Sequence, residues 1–179
     1  MKYSVHAMAV DTFAPMLRSL SNVFDKAVQQ ANAKGFDPAI LVQARLAPDM
    51  YALAKQVQIA CEHAINSSAL LMGKPLPKVE NNEQTLEQLQ ARIASTVDSL
   101  QSAPASAFQG AEDRDITLPL INNLVLEMKG FEFLRDWALP HFYFHVVTAY
   151  DILRHNGIQI GKRDYLSHVG GSIRQRGDR

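Results

Sequence analysis

A single cysteine, Cys61, stands in a chain of 179 residues, which excludes an internal disulfide framework and any Cys-rich zinc site. An excess of either charge is also missing. Eighteen Lys and Arg balance eighteen Asp and Glu, so no strongly basic surface for nucleic acid is expected. The cationic residues near the C-terminus, Lys162, Arg163, Arg174, Arg176 and Arg179, are too few for a nucleic-acid stripe and read as a solvated terminus. No apolar run reaches the ~18 residues a membrane span needs. The opening MKYSVHAMAV is too short and too polar for a signal peptide, so the cytoplasm is the expected setting. No HExxH metalloprotease signature, internal repeat or low-complexity tract is present. What is there is ordinary for a globular protein, 47% hydrophobic and 20% charged, in a length that suits one domain with a real core.

Helical spacing dominates the chain. Residues 4–34 carry apolar positions at intervals of three and four, from Val5 through Phe13, Leu17, Leu20 and Phe24 to Ala31, which predicts one long amphipathic helix closed by Gly35. Pro15 lies inside it and would kink it or mark a break. Asp37-Pro38 opens a short helix to about Arg45, and Pro48-Asp49 opens a second long one, stopped by Gly73, Pro75 and Pro77. LPKVENNEQT is a polar crossover. Glu83–Gln101 is the third long helix, with Gln90 and Arg92 outside, and SAPASAF breaks after it. In ITLPLINNLVLEMKG the apolar residues alternate on either side of Asn122-Asn123, which predicts a two-stranded hairpin with Pro119 at an edge.

The segment WALPHFYFHVVTAYDILRHN, Trp137–Asn156, is the last helix, with Pro140 in its first turn and Gly157 as its stop. Its apolar residues cover every side, so it is expected to be buried all round. His141 and His145, four apart, share one face. His63, on the second long helix, shares a side with Gln56, Ala60 and Ser67 and looks into the bundle from the flank. The architecture is therefore all-α: a four-helix bundle with a small β-hairpin inserted before the last helix. The bundle takes residues 1–166, and 167–179 form a basic tail. The chain beyond Gly161 is expected to leave the bundle.

Three imidazoles from two helices can supply three nitrogen ligands to a divalent ion such as Zn²⁺, leaving positions open for water or substrate. His63, His141 and His145 are the candidates. His155 is about 15 Å from His145 along the helix, and His6 sits at a fraying end. The opposing reading makes the imidazoles core residues, each bonded to a carbonyl or a Tyr hydroxyl. Cys61, mid-helix, reads as a small hydrophobe rather than a nucleophile. Glu62 and Asp151 are either partners that orient an imidazole or solvated charges.

HFYFHVVTAYDILRHNGIQIGKRDYL resembles the end of DinB/YfiT-like four-helix bundles. There HxxxH is followed by a Leu-Arg pair, a Gly stop and a terminal Asp-aromatic pair. Here these are His141 and His145, Leu153-Arg154, Gly157 and Asp164-Tyr165. ARLAPDMYALAKQVQIACEHA and GAEDRDITL extend the resemblance, over roughly residues 3–166, to a bacterial domain-of-unknown-function family of that superfamily. The resemblance implies the bundle fold, a third ligand from the second long helix matching His63, and a homodimer paired through helix faces. It also implies a divalent metal, Zn or Ni, and chemistry of the superfamily's thiol transferases, which join a small-molecule thiol to an electrophile. One position departs from the pattern: Val146-Val147-Thr148 follow His145 where the superfamily often has polar residues, giving a more apolar wall.

Two functions follow from different classes. In the first the chain is a metal-dependent enzyme, transferring a thiol to an electrophile or hydrolysing a bond, with ligands His63, His141 and His145 and with Tyr143, Thr148 and Tyr150 lining the pocket. In the second it is a non-enzymatic bundle for binding or association, with core histidines and no metal.

Overall fold

The computed structural model describes residues 4–174, and Arg176 and Arg179 lie outside the described residues. Four long helices, α1 (Val5–Lys34), α3 (Leu53–Leu71), α4 (Leu86–Ser102) and α6 (Leu139–His155), form the bundle, with a four-residue α2 (Ala39–Val42) between the first two. Around the bundle the neighbours run α1, α4, α3, α6 and back to α1. The core between them is aliphatic and aromatic; Phe13, Phe24, Phe133 and Phe142 are among its fully buried side chains. No helix among the described residues is long and apolar enough to cross a membrane.

Helix ends follow local chemistry. Ser4 caps α1 by accepting from the Ala7 N–H, and Gly35, at φ 74°, closes it. The helix runs unbroken through Pro15. Thr85 caps α4 in a capping box with Gln88. The second long helix starts at Leu53, later than Pro48-Asp49 suggests, because residues 46–52 form turns whose end is tied back by the Leu53 N–H to the Ala44 carbonyl, 2.9 Å. Arg92, expected outside α4, is turned inward: its side chain is only 8% exposed, because the crossover folds over it and supplies Glu83 and the Glu80 carbonyl as acceptors.

The hairpin pairs β1 (Asp115–Pro119) with β2 (Val125–Lys129), antiparallel, with Pro119 opposite Val125 at its end. Asn122 and Asn123 both adopt the left-handed conformation that the turn requires. At its exit Gly130 lies so close to Ala111 that a Cβ there would sit 1.8 Å from the Ala111 carbonyl oxygen. Only glycine fits that crossing.

The last helix begins earlier than Trp137. A helical path opens as α5 (Gly130–Glu132), widens to a π-helix over Phe133–Ala138, and continues as α6. Proline lacks an N–H and its ring crowds the carbonyl four residues back. Just before Pro140 the Leu139 N–H bonds to the Leu134 carbonyl, five residues back rather than four, and this wider turn lets the chain carry Pro140 without breaking. Nor is α6 buried all round. Phe144 is 59% and Val147 38% exposed.

Past Gly157 (φ 83°) the chain does not leave the bundle. Ile158 and Ile160 are buried, and Arg154 donates to the Ile160 carbonyl. In α7 (Lys162–Tyr165) Asp164 accepts from the Gly161 N–H and pairs with Lys26 of α1. Ser167 and His168 both bond to Ser19 of α1. Side-chain partners on α1 thus hold the segment down, which basic composition and glycines alone did not reveal.

Candidate functional site

The seam between α3 and α6 gathers His63, His141 and His145. Their helices run antiparallel there, so that Gln56 meets His145 while His63 lies against both. The His63 ring centre is 5.0 Å from that of His141 and 5.8 Å from that of His145. For comparison, two imidazoles on one tetrahedral ion have ring centres about 5 Å apart, given metal–nitrogen distances of about 2.0–2.1 Å.

Each ring on α6 has one nitrogen engaged. His141 Nδ1 lies 3.0 Å from the Trp137 carbonyl oxygen, and a carbonyl only accepts, so Nδ1 carries a proton and Nε2 is the nitrogen whose lone pair is available in the neutral ring. The Trp137 ring also packs on His141, with centres 4.2 Å apart. His145 Nδ1 lies 2.7 Å from Gln56 Oε1. Among the described residues the His63 ring nitrogens have no protein hydrogen-bond partner. Bonding to a carbonyl was the mark of a core histidine in the opposing reading. Here that bond takes only one nitrogen of each α6 ring and leaves the other free.

Burial, then the neighbouring His141 and His145, lowers the His63 pKa to about 4. Burial, then His141 and Lys55, lowers that of His145 to about 4. Both rings are therefore neutral at physiological pH, the form that offers a lone pair. An open depression of about 420 Å³, lined by Pro140, His141, Phe144 and His145, leads to the α6 rings from outside.

The donor set fits a divalent ion in type, charge and free lone pairs. It is not a closed ligand cage: among the described residues no group of three or more His, Cys, Asp or Glu side chains is arranged to hold a metal ion. The unpinned member is His63.

The other candidates fall elsewhere. Thr148 is one turn beyond His145 on the same side, but its hydroxyl donates to the Phe144 carbonyl, 2.7 Å. Tyr143 and Tyr150 project from the opposite side of α6 at about 100° per residue. Tyr150 packs against Tyr165 at 5.9 Å, and Tyr143 against Phe142 at 5.7 Å, so the structure does not bring either to the imidazoles. His6 is remote, bonded to the Ala103 carbonyl and packed on Phe108. Glu62 bonds to Asn81, away from the histidines. Asp151 lines a separate depression with Val147, Tyr150, Lys162 and Tyr165. Cys61 is buried, and burial raises its thiol to about 11, so no reactive thiolate is present near neutrality. Sequence reasoning put Gln56 on the His63 side without assigning it a role, and missed Trp137. A buried polar residue two turns before His63 on one stripe was the available signal for Gln56. For Trp137, which lies one turn before His141, spacing carries no sign that its carbonyl is the acceptor.

Residues 5–166 match the family described as Domain of unknown function (DUF1993). The crystal structure of a DinB family member protein from Shewanella denitrificans is 40% identical, with alignment covering 90% of this chain and 91% of that one and a TM-score of 0.84. No curated protein matches the chain.

Proposed function

The chain belongs to the DUF1993 family and is a DinB-like protein; from that premise we propose that it binds one divalent ion, Zn²⁺ or Ni²⁺, through His63, His141 and His145 and is a metal-dependent enzyme. The observation that carries the reading is the arrangement of the rings: three imidazoles from two helices, two of them fixed with Nδ1 protonated and Nε2 free. A bound ion would supply Lewis acidity, lowering the pKa of a coordinated water or thiol. The chain's own residues would do the rest. Gln56 and the Trp137 carbonyl orient the α6 imidazoles, the neutral state of His63 and His145 keeps their lone pairs available, and Pro140 and Phe144 make the adjoining wall apolar and poor in competing ligands. Small reactants of the thiol-and-electrophile or hydrolysable type are the proposed class, and a second copy of the chain is the proposed partner.

Metal analysis of protein purified without a nickel column, beside His145→Ala, tests the reading. About one ion per wild-type chain and a marked loss in the variant are expected. Equal content in both overturns it.

A second reading has its own support in the absence of a closed ligand group among the described residues. In it the histidines are core polar residues of a binding or association module. His63→Ala would then lower stability and leave metal content unchanged.

A further inference from the structure

Of the three imidazoles, only His145 is oriented by a side chain from the opposite helix. Gln56 is 2% exposed. Its Nε2 is 3.1 Å from the Tyr51 carbonyl oxygen and its Oε1 is 2.7 Å from His145 Nδ1. These two contacts leave no freedom. The Tyr51 carbonyl can only accept, so it must face the amide nitrogen, which turns the amide oxygen toward His145. The amide oxygen also only accepts, so the proton must lie on Nδ1 and the lone pair on Nε2. A main-chain carbonyl just ahead of α3 thereby dictates, through one amide, which nitrogen of a ring on α6 is free.

We infer that Gln56 is a positioning residue that sets the His145 tautomer, so that Nε2 is the nitrogen offered to a ligand. The inference rests on the proposed metal reading only in what the free nitrogen is for; the tautomer itself is a property of the metal-free chain. Partners of this kind fix ring orientation in metal sites, and their loss costs about 10–100-fold in metal affinity. The Trp137 carbonyl plays the same part for His141 from the turn before it, whereas Gln56 reaches His145 across the seam between α3 and α6.

The test is long-range ¹H–¹⁵N correlation of the metal-free, ¹⁵N-histidine-labelled full chain, with His145→Asn used for assignment. The wild type should show His145 protonated at Nδ1. A His145 found protonated at Nε2 overturns the inference, and this measurement needs no Gln56 variant to fold. In Gln56→Leu the Nε2-protonated form should appear and Zn²⁺ affinity should fall about 10–100-fold. In Gln56→Glu, which still accepts from Nδ1–H, the wild-type tautomer should persist. A folded Gln56→Leu chain that keeps the wild-type tautomer contradicts the inference. If the tautomer is as inferred and Zn²⁺ does not bind the wild type, the positioning role stands and the metal reading fails.

Discussion

One helix, α3, carries two polar clusters on opposite sides, and they are built on different principles. Toward α4 and the crossover the cluster is ionic. Arg92 Nη1 donates to Glu83 and to the Glu80 carbonyl, both at 2.8 Å, and Gln58 donates to the other Glu83 oxygen, 2.9 Å. Burial would raise the Glu83 pKa, but the hydrogen bonds from Arg92, the backbone and Gln58, together with the Arg92 charge, outweigh it, and the carboxyl titrates below its ordinary range. A cavity of about 570 Å³ beside this cluster is larger than the depression at the histidines. Toward α6 the cluster is built of imidazoles, those of His63 and His145 neutral, with an amide and a main-chain carbonyl, and ring nitrogens are left over. The ionic side spends its charges on holding the crossover down. The imidazole side leaves lone pairs unused, and for that reason the proposed metal site lies there, although the larger cavity lies opposite.

Breaking the ionic side should produce the largest effect. Arg92→Ala strands the Glu83 carboxylate, whose side chain is 11% exposed. A loss of about 3–5 kcal/mol is expected in urea unfolding, as for other broken buried pairs, with Zn²⁺ affinity of the folded fraction unchanged. A comparable fall in affinity would show that the two clusters are coupled and spoil the contrast.

Breaking the imidazole side should do the reverse. His63→Ala and His145→Ala should each weaken Zn²⁺ binding by more than the ~10–100-fold expected for a supporting residue, measured by competition with a chelator. Stability should change less than in Arg92→Ala, since no buried charge is left alone.

The two sides should also separate by pH. His63 and His145 titrate at about 4 in the folded chain, against about 6.5 for an unperturbed imidazole. Between those values the unfolded chain binds more protons, so metal-free stability should be full above pH 6.5 and decline as pH falls toward 4. The Glu83 pair acts lower: its depressed carboxyl loses its contribution only as pH drops through its folded pKa, below the carboxylate's ordinary 4.5. Urea midpoints across pH 4–7 should slope in the wild type and flatten between 4 and 6.5 in the His63→Ala, His145→Ala double variant. An unchanged slope there would mean that those rings are not the groups responsible.

The smallest effect belongs to the rim. Glu62 is 3.7 Å from Arg92 and its side chain is 25% exposed, so Glu62→Gln should cost less than about 1 kcal/mol. A larger cost would place Glu62 within the buried network.

Periodicity made the bundle and the hairpin legible, because burial repeats at 3.6 or 2 residues wherever one face meets the core. It also put His63, His141 and His145 on facing sides of two helices. What it could not show depends on contacts distant in sequence. Arg92 turns inward only because residues 80–83 come back over α4. The chain beyond Gly161 stays on the bundle because Ser19 and Lys26, far earlier, meet Ser167, His168 and Asp164. The π-helix before Pro140 arises from one missing N–H, which a helical pattern does not register. Nor do apolar residues on every side of α6 specify how many neighbours the helix has: among the described residues Phe144 and Val147 stay exposed.

X-ray absorption of the Zn²⁺- or Ni²⁺-loaded protein tests most directly whether the imidazoles of two helices share one ion. Three imidazole ligands at about 2.0–2.1 Å, falling to two in His63→Ala, are expected. A shell of oxygen ligands, or one that is the same with and without His63, would contradict the account.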